Sequence, residues 1–422
     1  MHNSGYRFSL IITTLLLCMW IIGGCASNAA SPAQIDSRVT SSDAASSEQT
    51  DFQTFSQDAA DSAIADSHAS SWAAMEPTGH MPLDYATEFA VDYYDGLALI
   101  TIGGTDRYLL IPENAKAPAD LDTDIIPIRK PDTIYLAASA GMDYFRVLKA
   151  LDKVRMTSTQ AVNWSLPEVV QALDSEKMLY AGKYSAPDYE LLLREGIDLA
   201  IESTMIYHTP ETKEKIEKLG ISVLVDKSSY EPHPLGRMEW IKLYGLLLDK
   251  TDEADAFYNE QLASLEAVPE LSKMLSSQDS PTVAYFYITS SGYANVRSPG
   301  DYISKMIEMA GGSYAFADAS VSEDSAKATM NMQMEAFLDR ALVSDILIYS
   351  TSIDGEMHSA EELYKKVPML KQSKAASDGN IWITGKNMYQ QSTAVAEMML
   401  ELHAVITGHA DEDELIFLHK LK

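Results

Sequence analysis

The chain has 422 residues, 46% of them hydrophobic, and 61 acidic against 32 basic side chains give it a formal charge of -29. That length and apolar content allow two or three domains with sizeable cores, while so large a negative charge excludes nucleic acid, which would be repelled. The two cysteines, Cys18 and Cys25, both fall in the first 25 residues, which rules out a disulfide framework or a thiolate metal site downstream.

Residues 1–24 read as an export signal: Arg7, an apolar run from Phe8 to Ile22, then Gly23 and Gly24. The run is short for a membrane span, and its Ile-Gly-Gly-Cys ending resembles a bacterial lipobox. Cys25 is then the lipidated first residue of the mature chain, anchored on the extracytoplasmic face of the cell membrane. Residues 25–79, rich in Ser, Ala and Asp, hold no period for long and read as a flexible tether.

Residues 80–230 form a first α/β lobe. The run from Tyr85 to Pro112 has strand propensity and an Asp95-Gly96 turn, which predicts a hairpin or meander. Strands over 133–138, 179–180, 199–203 and 223–225 alternate with helices over 143–151, 188–194 and 210–219. Alternation of this kind means a parallel sheet covered on both faces. Residues 231–269 read as one long helix, bent near Asp249, with Trp240, Ile241, Tyr244, Leu247 and Leu248 on one face. About thirty helical residues reach roughly 45 Å, enough for a strut between two lobes. The second lobe, 270–422, repeats the pattern, with strands at 282–288, 345–349 and 381–384 and helices at 302–310, 334–341 and 393–406. The fold class is α/β: two Rossmann-like lobes with mainly parallel sheets and one interlobe helix. A single rigid crossing predicts a shallow, fixed cleft where the carboxyl ends of the strands face each other.

Several stretches in this order resemble the substrate-binding proteins of ABC importers for iron-siderophore complexes, haem and cobalamin. They are YSAPDYELLLREGIDLAIES and IEKLGISVLVD in the first lobe, the strut GRMEWIKLYGLLLDKTDEADAF, and SPGDYISKMIEMAGG, MEAFLDRALVSDILIYS and VPMLKQSKAASDGNIWIT in the second. The chain departs from many of these proteins at Gly196-Ile197-Asp198, where they have Lys-Pro-Asp. The resemblance implies a monomeric carrier with no resident cofactor, its cargo being the metal chelate and its partner a permease dimer. It also implies that one glutamate on each lobe, by position Glu190 and Glu335, docks into permease arginine pockets. Charge-assisted pairs at two matched tips would register the body on a two-fold partner, although the helix dipole alone favours acids in a first turn.

Loops after the strands supply the candidate cargo residues: Trp164, Tyr184, Tyr207 and His208 from the first lobe, His233 and Arg237 at the strut's entrance, and Tyr293, Asn295, Arg297, Asn387, Tyr389 and Gln390 from the second. Aromatics and arginines together suit a bulky anionic chelate, with Tyr or His also able to bind iron directly. Two other readings are kept. A carrier of a bare divalent ion wants histidines and acids converging on one cleft, and no acid pairs visibly with His208 or His233. A lipid-anchored hydrolase wants an elbow, zinc or phosphate-loop motif, and none of these occurs.

Overall fold

The computed structural model describes residues 71–266, 268, 280–320, 328–351 and 355–422. Cys25, the export signal and most of the tether lie outside the described residues, and so does the expected end of the strut at Pro269. All described residues belong to one compact unit, Asp66–Lys422.

Three sheets organise the unit. The first has the order β1 (Gly79–His80), β2 (Phe89–Tyr94), β3 (Leu97–Ile102), β4 (Asp106–Ile111) and β5 (Ile125–Arg129), antiparallel except for β4–β5. It is the expected meander. Asp95 and Gly96 both have positive φ, as a two-residue hairpin turn of matching twist requires. The sheet begins earlier than the sequence suggests: Trp72, read as tether, is 8% exposed and packs against Leu97, Leu99 and Leu109. Asp120 accepts a 2.7 Å bond from the Trp72 amide.

In the first lobe β6 (Ile134–Leu136), β7 (Val154–Thr157), β8 (Leu179–Tyr180), β11 (Leu199–Ser203) and β12 (Ser222–Asp226) pair in the order β12-β11-β6-β7-β8, all parallel. A small antiparallel pair, β9 (Gly182–Lys183) and β10 (Ala186–Pro187), lies beside it. Around these run α1 (Met142–Val147), α2 (Pro167–Asp174), α3 (Tyr189–Arg194) and α4 (Pro210–Lys218). The strands are apolar nearly throughout, because residues on both faces are covered: Tyr135, Ala200 and Val223 face one core while Ile134, Ile201 and Leu224 face the other.

The second lobe has the strand order β16 (Thr329–Met332), β14 (Ala294–Arg297), β13 (Thr282–Ile288), β17 (Ile346–Tyr349), β18 (Ile381–Thr384) and β19 (Leu418–Lys420), with β15 (Ser313–Tyr314) also pairing β13. The centre, β13-β17-β18, is parallel, and antiparallel strands flank it.

Between the lobes the expected strut is helical but divided into α5 (Pro234–Glu239), α6 (Ile241–Leu248) and α7 (Thr251–Glu266). This corrects the reading of one 45 Å helix. Asp249 takes a left-handed conformation, φ 60, and ends α6; the chain then folds back. Gly245 shows how sharply: a Cβ there would sit 2.6 Å from the Ala254 Cβ and 2.9 Å from the Lys250 carbonyl oxygen. After the crossing come α8 (Tyr302–Met309), α9 (Met334–Ala341), α10 (Ala360–Lys366), α11 (Lys374–Asp378) and α12 (Val395–Thr407).

Two acids near the crossing hold the meander in place. Glu239, fully buried, accepts from the amides of Asp84, Tyr85 and Ala86 at 2.8–3.1 Å and from Lys242 at 2.8 Å. Glu231 accepts from the amides of Thr87 and Glu88 and from the Trp240 indole. Neither acid stood out in the sequence, because the backbone amides they hold lie some 150 residues away.

Candidate functional site

The carboxyl ends of the parallel strands meet along the junction of the lobes, where Tyr389 from the loop after β18 meets Arg297 on β14 and Arg237 on α5. At its centre the Tyr285 and Tyr389 hydroxyls are 2.7 Å apart, with the Ser350 hydroxyl 3.4 Å from the latter. Two guanidinium groups flank them. Arg297 lies 5.5 Å from the Tyr302 ring centroid and 5.9 Å from that of Tyr389, and Arg237 lies 4.6 Å from the Tyr302 ring. Burial pushes the Tyr302 phenol up to about 12, so this ring is a neutral surface over which the two guanidinium groups rest.

Both arginines are already engaged. Arg297 holds Asp301 through two parallel bonds, Nε to Oδ1 at 2.7 Å and Nη2 to Oδ2 at 2.5 Å, and is 9% exposed. Arg237, 4% exposed, donates Nη2 to the Tyr389 carbonyl at 3.3 Å and to the Ser392 hydroxyl at 3.1 Å. They are built as internal braces, and a cargo anion would have to displace protein partners to reach either.

Gln390 is likewise committed. Its side-chain oxygen accepts from the Ser165 amide at 2.7 Å and the Ser165 hydroxyl at 2.6 Å, and its nitrogen donates to the Asn163 carbonyl at 2.7 Å. This joins the two lobes directly. Ser392 donates to the Ala140 carbonyl at 2.9 Å, and Thr393 gives its amide and hydroxyl to Asp143 at 2.9 and 2.5 Å.

The remaining candidates are spread out. Trp164, 6% exposed, donates to the Thr159 carbonyl and borders a 520 Å³ recess with Ser165, Pro167 and Val170. Tyr207, 46% exposed, bonds Asp106 at 3.4 Å, and Lys227 reaches the same carboxylate at 3.2 Å. Gly103, at φ 58, makes room for that lysine: a Cβ there would collide with its ammonium. His208 is exposed and Tyr184 packs half-buried on the outer core of the first lobe. Asn295 forms a cross-strand pair with Asn331 at 2.8 Å, Asn387 donates to the Ile416 carbonyl at 3.2 Å, and Tyr293 is 38% exposed. His233 accepts from the Leu235 amide and stacks on Tyr85 at 4.5 Å. Burial and then Lys305 hold it down to about 4, the neutral state that an acceptor nitrogen needs.

A second cavity lies between the lobes, about 370 Å³, lined by Thr87 and Glu88, by Ser229 to Pro232, and by Ser298, Gly300, Asp301 and Ala328. None of the residues expected to bind cargo lines it. Among the described residues, no three His, Cys, Asp or Glu side chains are grouped to hold a metal ion. Glu190 and Glu335 are exposed in the first turns of α3 and α9. Each helix leads into a parallel strand of its own lobe, β11 or β17, so the two acids occupy corresponding places.

No family model matches the chain. An uncharacterised lipoprotein of Methanocaldococcus jannaschii is 23% identical over 340 residues, covering 78% of this chain and 83% of the relative. Among solved structures, a periplasmic heme binding protein from Pseudomonas aeruginosa superposes with a TM-score of 0.55 at 14% identity, covering 69% of this chain and 98% of that one. A petrobactin-binding protein of Bacillus subtilis gives 0.52 at 14% identity, covering 66% and 93%. The chain therefore has the periplasmic-binding-protein fold.

Proposed function

We propose that this chain is the solute-binding component of an ABC importer, lipid-anchored through Cys25, which captures a ferric siderophore, haem or cobalamin between its lobes and delivers it to a permease dimer. One observation carries the reading: two parallel-sheet lobes, crossed once by the chain, meet along the carboxyl ends of their strands, the arrangement in which α/β sheets take ligands. The fold shared with heme- and petrobactin-binding proteins supports the cargo class. Exposed Glu190 and Glu335, at corresponding places, support docking on a partner with near two-fold symmetry.

The test is titration of the purified chain with haemin, cyanocobalamin and a ferric hydroxamate, followed by absorption and tryptophan fluorescence. Saturable one-to-one binding of one class is expected. Tight zinc or manganese binding with no affinity for any chelate would replace this reading with a bare-ion carrier.

A further inference from the structure

The two ends of the interlobe junction are built differently. Strand order puts β12 at one edge of the first lobe's sheet and β7 on the far side of β6; in the second lobe β14 lies on one side of β13 and β18 on the other. Loops after β7 and β18 are sewn together by Gln390 through its three bonds to Asn163 and Ser165. A primary amide that accepts twice and donates once has nearly exhausted its bonding capacity, and Thr393 on Asp143 reinforces the same seam.

At the other end, residues of the loops after β12 and β14 both line the 370 Å³ cavity. Ser298 borders it, is 2% exposed, and its hydroxyl has no hydrogen-bond partner. A buried hydroxyl left in that state is costly until something supplies the bond. Three carboxylates line the same cavity, Glu88, Glu231 and Asp301, and no lysine, arginine or histidine side chain does. Glu231 and Asp301 are already bonded to amides, an indole and Arg297, so neither offers an open ligand position. A carboxylate or phosphate finds no basic side chain on the lining to pair with; a hydroxyl, an amide or an ammonium needs none.

Resting on the binding-protein reading, we infer that the junction is one-ended: Gln390 holds the β7/β18 end shut, and cargo is admitted at the β12/β14 end, where a neutral or cationic polar group of the cargo bonds the Ser298 hydroxyl. The inference names the end that moves and the chemistry that enters.

The folded body contains no cysteine, so spin labels can be placed cleanly in the full-length chain carrying Cys18→Ser and Cys25→Ser. One pair, Ser229→Cys with Gly300→Cys, spans the cavity end; a side chain at Gly300 meets nothing within 4 Å. The other, Asn163→Cys with Lys386→Cys, spans the seam. The expected result is a distance distribution at least twice as broad for the cavity pair as for the seam pair, with Gln390→Ala broadening the seam pair. Equal widths in the unaltered background overturn the one-ended junction, whatever the Gln390 variant does. For the chemistry, cyanocobalamin, which carries amides, and ferrioxamine B, which carries an ammonium, are compared with haemin, which carries carboxylates. Ser298→Val should weaken whichever of the first two binds by at least tenfold. Preference for haemin, or indifference to Ser298→Val, overturns the assignment while leaving the importer reading intact. Binding of none of the three fails the importer reading, and the label distances still judge which end opens.

Discussion

At the scale of single residues, burial decides more than identity. Glu202 on β11 is fully buried and neither carboxyl oxygen has a partner; the Tyr135 and Thr209 hydroxyls are in the same condition. Desolvation pushes its carboxyl up to about 8. An acid whose folded pKa is raised binds its proton more tightly when folded, so its contribution is fully present below the ordinary value near 4.5 and is lost as pH rises through about 8. The full span corresponds to roughly 5 kcal/mol as an upper bound. Glu202→Gln should therefore flatten the decline in melting temperature between pH 5 and 8.5, and parallel profiles for the two proteins would refute the assignment. Arg297 makes the opposite case. Its bidentate pair with Asp301 is buried, and Arg297→Ala leaves that carboxylate with no counter-charge and only the Ile303 amide, at a cost of about 3–5 kcal/mol. Arg297→Lys should recover only part, since a point charge cannot replace the fork. Urea unfolding measures both.

Among elements, the interlobe segment is the informative one. Its apolar face was legible, and Trp240, Ile241, Tyr244 and Leu247 are all buried. The bend near Asp249 was legible as well, but not that the chain folds back there. A left-handed Asp249 is a conformation that Asp tolerates better than most residues, but nothing local demands it; what demands it is the packing of α7 onto α6 through Gly245. Gly245→Ala should destabilise by about 1–3 kcal/mol through overpacking. Pairing it with Ala254→Gly should return part of the loss, because the colliding Cβ is then gone. Chemical denaturation of the two single variants and the double variant gives the coupling; strict additivity would show that the helices are not in contact there.

For the whole molecule, rigidity and docking are the testable properties. The lobes share hydrogen bonds through Gln390, Ser392 and Thr393 and a brace through Arg237, so cargo should change the radius of gyration in solution scattering by less than about 1 Å, unlike hinge closure. Glu190 and Glu335 are exposed and sit at helix starts, where removing the charge costs within about 1 kcal/mol. Glu190→Lys with Glu335→Lys should leave melting temperature and cargo affinity nearly unchanged while cutting permease-stimulated ATPase activity at least tenfold. Normal stimulation would end the docking proposal.

The sequence by itself determined the α/β class, the alternation of the strands and helices it named in both lobes, though not β7, β14, β16, β19, α2, α10 or α11, the Asp95-Gly96 hairpin and the helical nature of the crossing. These follow from periodicity, turn chemistry and capping, which are written within a few neighbouring residues. Only the tertiary structure decided what the candidate cargo residues do. Arg237, Arg297, Asn295, Asn387 and Gln390 were singled out by type and position along the chain, and each meets a protein partner that spacing does not disclose. Ser298 and the acids around its cavity are ordinary in sequence and gain their meaning from loops that meet across the junction. A hydrogen bond between residues 225 positions apart, as between Ser165 and Gln390, is set by which sheet edges face each other, and that is a property of the packed molecule rather than of any stretch of chain.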